Sequence, residues 1–404
     1  MRIILFTEIY DCGGIDTFIV NLINGWPDRT DSFIIVANSD YPGLSVIEER
    51  LARPCEVIRH KVLLYSNLPA GTSPWQLLGK VLSPVLRYLV LCCNILSFRK
   101  LFFQCRADRL MVINGGYPGG DSCRAAGISW GLFSGKPGSI HNFHNLAIRA
   151  PWYLRVQEYI VDTFLCLATS RFITVSNAAA QSMAARPGIW AKKMTSYIHN
   201  GISFPPKQPE SVKNVREEIG IPRVAPLCLM LGTYEPRKGH RFLFKAFKKV
   251  LAEVPHTHLL VCGFGLPEEV STVRQHVKEL CLEGNVHLVG FRSDLSSLFS
   301  AADVLLISSQ AYESFGFTSV EAMAHRIPVV ATAVGGVPEV VQDGDGGYCV
   351  DPEDVAGYAA RIIALLRDDK LRAEQGEKGF NRVQRLFTSK VMAEKYWEML
   401  KAIK

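Results

Sequence analysis

No run of apolar residues in this chain is long enough to cross a membrane. The most apolar stretch, "VLSPVLRYLVLCCNILSFRKLFF" (81–103), is free of charge only over the eleven residues between Arg87 and Arg99, where a hydrocarbon core needs about 20. The eleven cysteines contain no Cys-x-x-Cys pair. A zinc ribbon and a disulfide framework are therefore unsupported, and a reduced, cytoplasmic chain is the simpler expectation. No signal-peptide pattern opens the sequence, because the apolar "RIILF" (2–6) is followed closely by Glu8 and Asp11 and suits a first core strand. No block of like charge marks a nucleic-acid tail, and there is neither a low-complexity segment nor a fixed-period repeat. The G-x-G-x-x-G fingerprint is missing too: "GFGLP" (263–267) has only the first two glycines, so a dinucleotide cofactor is not expected.

What remains is globular. Of the 404 residues, 48% are hydrophobic and 21% charged, enough for two domains of about 150–200 residues with a large buried core. The net charge of +7 is compatible with anionic small molecules or an anionic membrane surface. Around the apolar stretch stand Lys80, Arg87, Arg99, Lys100, Arg106 and Arg109. Residues 80–109 therefore read either as a helix lying on an anionic leaflet or as a buried helix with an ordinary solvated edge.

Short β-branched runs alternate with longer amphipathic segments from end to end, the pattern of parallel sheets covered on both faces by helices. Strands are predicted at 2–6, 32–37, 110–114, 172–176, 227–232, 258–263, 286–290, 304–308 and 328–332. The polar, proline-rich "NGISFPPKQPESVKNVREEIGIP" (200–222) interrupts the alternation and marks a domain boundary. After Gly239, Leu243, Phe247, Val250 and Leu251 recur at helical spacing while Lys245, Lys248 and Lys249 face away.

Three strand-to-helix junctions carry the candidate chemistry. In "YESFGFTSVEA" (312–322), Gly316 separates Glu313, on a loop, from Glu321, inside the following helix. A helix N-terminus at a strand's carboxyl end favours phosphate, and carboxylates on either side could accept hydroxyl hydrogen bonds. A ligand with hydroxyls on both sides of a pyrophosphate is a nucleotide sugar. In "LGTYEPRKG" (231–239), Arg237 and Lys238 fall at a helix start, where cations oppose the helix dipole. An anionic ligand explains them, with Lys238 stabilising charge on a departing diphosphate; a solvent-exposed basic turn is the plainer alternative. Near the N-terminus, Gly13-Gly14 follow the first strand and suit close approach of a ligand to the backbone. "SIHNFHN" (139–145) supplies His141 and His144 without a third metal ligand, and "DGDG" (343–346) reads as a turn. No metal site is expected.

Taken in order, these segments resemble the retaining GT-B glycosyltransferases of glycosyltransferase family 4, over nearly the whole chain and most strongly from about 227 to 370. The motifs are Gly13-Gly14, His144, Asn200-Gly201, "GTYEPRKG", "GFG", "AADVLLISS", Glu313 with Glu321, and "VGGVPEVV". The resemblance implies an α/β fold of two Rossmann-like domains facing each other across a cleft. Residues 1–203 would bind the acceptor and 204–387 the donor, with the helix in 388–404 packing back on the first domain. By the same resemblance, Glu313 would hold the donor sugar, Lys238 the diphosphate, Glu321 the ribose, and His144 the sugar near the reacting carbon. Gly14, Gly316, Phe317 and Thr318 would line the phosphate or sugar, and Arg292 matches the region beside the base. Three positions depart from the family pattern: Thr233 replaces an arginine, with Arg237 as a possible substitute, Phe264 replaces an acid, and Ser308 replaces a proline.

The implied activity is a metal-independent hexosyl transfer with retention, from a UDP- or GDP-linked sugar to a glycan or lipid-linked acceptor, in cell-envelope polysaccharide or lipopolysaccharide synthesis. No cofactor and no nucleic-acid partner are implied. The location expected is the cytoplasm or the inner face of the plasma membrane. Two rivals stand beside it: an epimerase or hydrolase of nucleotide sugars, and a catalytically silent subunit that binds one.

Overall fold

The computed structural model describes residues 1–10, 13–63, 83–186, 195–204 and 214–403. The chain divides into two units, Met1–Gly201 with Ser389–Lys404, and Ile202–Thr388.

In the first unit the strands are β1 (Arg2–Thr7), β2 (Ser32–Asn38), β3 (Glu56–His60), β4 (Arg109–Asn114), β5 (Ser139–Phe143), β6 (Thr169–Thr174) and β7 (Thr195–Tyr197). Among the described residues they form one sheet in the order β3-β2-β1-β4-β5-β6-β7, all pairs parallel. Ile3, Ile4, Leu5 and Phe6 are fully buried, as continuous apolar runs must be when helices cover both faces of a parallel sheet. The helix Ser83–Cys105 contributes Phe98, whose ring meets Phe6 edge-on at 5.0 Å. Its inner face is thus core, while residues 80–82 of the basic apolar segment lie outside the described residues. Among the described residues, no helix is long and apolar enough to span a membrane.

The second unit repeats the plan. Its strands are β8 (Leu227–Leu231), β9 (His258–Cys262), β10 (Val286–Val289), β11 (Val304–Ile307), β12 (Val329–Thr332), β13 (Gln342–Asp343) and β14 (Gly346–Val350). Their order is β10-β9-β8-β11-β12-β14-β13, again parallel throughout. Helix His240–Glu253 buries Leu243, Phe247 and Val250 and exposes Lys245, Lys248 and Lys249. Its Phe242 ring packs on Tyr358 at 5.2 Å.

In each sheet the chain travels one way from a central strand, returns, and continues the other way. The direction reverses between β1 and β4 and between β8 and β11. At such a point two successive loops leave the carboxyl edge in opposite directions, and a crevice opens between them.

Candidate active site

Lys238 leaves β8 and Glu313 leaves β11, so the two flank the reversal point of the second sheet. Lys238 Nζ donates to Glu313 Oε2 at 2.5 Å. Both side chains are mostly covered, 16% and 19% exposed, so the ion pair sits where solvent screening is weak. Ser309 Oγ lies 3.4 Å from the same carboxylate oxygen.

Backbone stitching fixes this pair. Ser308 Oγ donates to the Lys238 carbonyl at 2.8 Å, and the Gln310 N–H donates to the Arg237 carbonyl at 2.8 Å. Ser308 is the position where the resemblance expects proline, and here its hydroxyl ties the two loops together. From the third side, the Gly336 N–H donates to the Glu313 carbonyl at 2.8 Å. Gly335 has φ 56°, and a Cβ there would run into the Glu313 backbone. Glycine is required at that position both by conformation and by space.

Lys238 stands immediately before the cap of the helix that follows Gly239. Pro236–Lys238 form a short 3-10 turn, Gly239 follows with φ 71°, and the α-helix begins at His240. The left-handed glycine separates the turn from the helix, and the Lys238 ammonium reaches Glu313.

Arg237 is held by a residue that sequence reasoning missed. Its Nε donates to Glu235 Oε2 at 2.6 Å, and Thr233 Oγ1 donates to Glu235 Oε1 at 2.8 Å. The guanidinium also lies over the Tyr312 ring at 5.4 Å. A terminal nitrogen comes within 3.9 Å of Glu313 Oε2. Thr233 and Arg237 are therefore joined through Glu235, a carboxylate two residues from each that the motif spacing alone did not single out.

Gly316, at φ 85°, caps the helix Phe317–Ala324. Phe317 and Thr318 form its first turn, where backbone N–H groups have no partner within the helix. Glu321 lies one turn on, half-buried, and its carbonyl accepts from the His325 N–H at 3.3 Å.

Arg292 is committed elsewhere. It follows β10, two strands from β8, and its guanidinium is shared between Asp294, at 2.7 and 2.9 Å, and Glu218, at 2.7 and 3.0 Å. The hydrogen bonds it donates to Asp294 and then to Glu218 raise its pKa above the ordinary guanidinium value. Next to it, at the carboxyl ends of β9 and β10, Phe264 and Phe291 are exposed and meet edge-on at 6.1 Å.

Gly14 and His144 belong to the first unit. Gly14 opens the helix Gly14–Gly25, whose Phe18 ring packs edge-on against His144 at 4.4 Å. His144 Nε2 is 2.5 Å from Asn142 Oδ1, and Asn142 Nδ2 donates to the Tyr396 hydroxyl at 2.7 Å. With the Asn142 amide so oriented, its oxygen faces the imidazole and Nε2 carries the hydrogen. Burial pushes the His144 pKa down to about 3, so the ring is neutral at pH 7. Among the described residues, no three His, Cys, Asp or Glu side chains gather in a way that could hold a metal ion.

Residues 211–382 match the family model described as "Glycosyl transferases group 1". The matched segment contains both members of the Lys238–Glu313 pair and the whole second sheet. One relative is N-acetyl-alpha-D-glucosaminyl L-malate synthase of Bacillus anthracis, 34% identical over 182 residues, 45% of this chain and 47% of the relative. Another is phosphatidyl-myo-inositol mannosyltransferase of Mycolicibacterium smegmatis, 36% identical over 178 residues, 43% of this chain and 45% of the relative. The chain thus spans less than half the length of these two relatives, 47% and 45%. Among solved structures, Anabaena HepE in complex with UDP-glucose superposes with a TM-score of 0.74 at 19% identity, covering 100% of each chain. The fold is that of the GT-B glycosyltransferases, an α/β architecture of Rossmann-like units.

Proposed function

We propose that this protein is a retaining, metal-independent glycosyltransferase that moves a hexose-type sugar from a nucleoside-diphosphate sugar to a glycan or lipid-linked acceptor of the cell envelope. The observation that carries the reading is the Lys238–Glu313 pair at the reversal point of the second sheet, beside the Gly316-capped helix. A cation and a carboxylate held together there match the two needs of a sugar diphosphate, charge neutralisation and hydroxyl recognition. The group 1 match, and the UDP-glucose named for the HepE complex, support a nucleotide-sugar donor. The name of one relative, a phosphatidyl-myo-inositol mannosyltransferase, fits a lipid-linked acceptor, whereas that of the other names L-malate, a small molecule.

In this reading the diphosphate takes the Lys238 ammonium, and Glu313 turns to hydroxyls of the sugar. The bond from the anomeric carbon to the phosphate oxygen breaks as a bond forms from the same face to the acceptor oxygen. The acceptor's proton passes to the leaving phosphate. Lys238, with Arg237 and the helix N-terminus, offsets the charge that grows on that phosphate. Glu321 holds the ribose, and His144 of the first unit is the residue the resemblance assigns to the sugar.

The test is thermal-shift titration of the full chain with UDP, GDP, ADP, dTDP and their sugars, with EDTA present throughout and Glu321→Ala alongside. Stabilisation by one nucleotide family, lost in Glu321→Ala, is the expected result. No shift with any nucleotide overturns the donor reading. A shift without sugar transfer by the purified chain favours the silent subunit.

A further inference from the structure

The outward face of the first unit carries an apolar stripe that the donor site does not use. On the helix Arg155–Ala168, the exposed side chains besides Arg155 are Val156, Tyr159, Ile160, Phe164 and Leu167, one side of a helix at spacings of three and four. Val156 and Leu167 are 76% and 78% exposed, which is no core position. Trp152, at 79%, and Tyr153 extend the stripe through the preceding 3-10 turn.

Among the described residues of this helix, the one exposed charge is a cation. Both acids of the helix, Glu158 and Asp162, point inward. Glu158 accepts from Arg124 at 2.8 Å and from Arg186 at 3.0 Å, and Asp162 accepts from Arg186 at 3.3 Å. Arg149 and Arg155, by contrast, are exposed. The surface continues onto the helix Ser83–Cys105, which Arg87 joins to Glu158 at 2.9 Å. That helix contains no Asp or Glu and exposes Leu89, Leu96 and Phe103 beside Arg99 and Lys100.

We infer that this composite face docks on an anionic lipid surface, with the Arg155–Ala168 helix lying in the interface. An amphipathic helix with aromatic and aliphatic residues on one side and cations at its margin is what such a surface binds. The inward pairing of Glu158 and Asp162 removes the like-charge repulsion that would oppose an anionic leaflet. The face belongs to the first unit and the proposed donor site to the second, so lipid docking can fail or succeed whatever nucleotide the second unit takes.

Flotation of the full chain with phosphatidylcholine vesicles, with and without phosphatidylglycerol, tests the inference. The protein floats with the anionic vesicles and not with the neutral ones. Val156→Ser combined with Leu167→Ser lowers the bound fraction about tenfold or more, and Arg155→Gln lowers it roughly fivefold. These side chains are exposed, so an unchanged melting temperature separates lost docking from unfolding. Equal flotation on both lipids, or flotation indifferent to these substitutions, overturns the inference. So does absence of flotation, and if self-association is then abolished by Val156→Ser with Leu167→Ser, the face is a contact between copies of the chain.

Discussion

Lys238 and Glu313 stand 75 positions apart in the chain and 2.5 Å apart in space, each presented by a loop from one side of the sheet's reversal point. In the proposed function the cation meets the diphosphate and the carboxylate the sugar. Lys238→Ala is expected to lower kcat about 100- to 1,000-fold, the usual cost of removing one preorganised transition-state donor, with a smaller change in donor affinity. Steady-state kinetics separate the two, and a loss confined to KM would count against a transition-state role.

Gly335 presses its backbone against Glu313 at a left-handed φ of 56°. Gly335→Ala must move one or the other, at a cost of about 1–3 kcal/mol for a non-glycine residue held there. The melting temperature should fall, and turnover should fall further than the stability loss explains, because the displaced group is the Glu313 backbone. Donor turnover measured well below the melting transition distinguishes the two effects.

Tyr396 reaches His144 through Asn142. Tyr396→Phe leaves the buried Asn142 amide without its acceptor, a loss of about 1–3 kcal/mol, and frees the amide to turn and present a donor to the imidazole. Turnover is expected to drop severalfold while nucleotide stabilisation, which reports the second unit, stays as in wild type. If both fall together, the tyrosine is only a structural anchor.

His141 is 1% exposed, and burial pushes its pKa down to about 3. An unfolded histidine titrates near 6.5. Below that pH the unfolded chain binds a proton that the folded chain refuses, so stability is full above about 6.5 and declines as pH falls toward 3. The slope attributable to His141 is on the order of 1 kcal/mol per pH unit. His141→Phe, in a site walled by Phe143 and Phe172, should flatten the decline between pH 6 and 4 in urea denaturation.

The parallel α/β plan was legible because β1, β4, β8, β11 and β12 are uninterrupted apolar runs, each buried on both faces. Other strands were not. β3, "EVIRH", is an edge strand whose polar residues need no burial. β14 begins with Gly346, the last residue of the segment read as a turn, and a Cβ at the next residue, Gly347, would strike the backbone of Val329 on the neighbouring strand. Close approach explains that second glycine. In the candidate site, the motifs located Lys238 and Glu313 at successive junctions. Glu235, which joins Thr233 to Arg237, and Glu218, which engages Arg292 from 74 residues away, are partnerships of the folded chain that spacing does not encode.

The helix Ser389–Ala402 gives the first unit an architecture that covalent order conceals. Its Tyr396 is fully buried there, bonded to an asparagine 254 residues earlier, while Arg109 donates to the carbonyls of Leu400 and Ile403. A nascent chain that has completed β1 through β7 therefore still lacks part of that unit's interior, and must make the entire second sheet before receiving it. Synthesis order and assembly order diverge, and a fragment ending at Gly201 would have β1 through β7 but not the side chain bonded to Asn142.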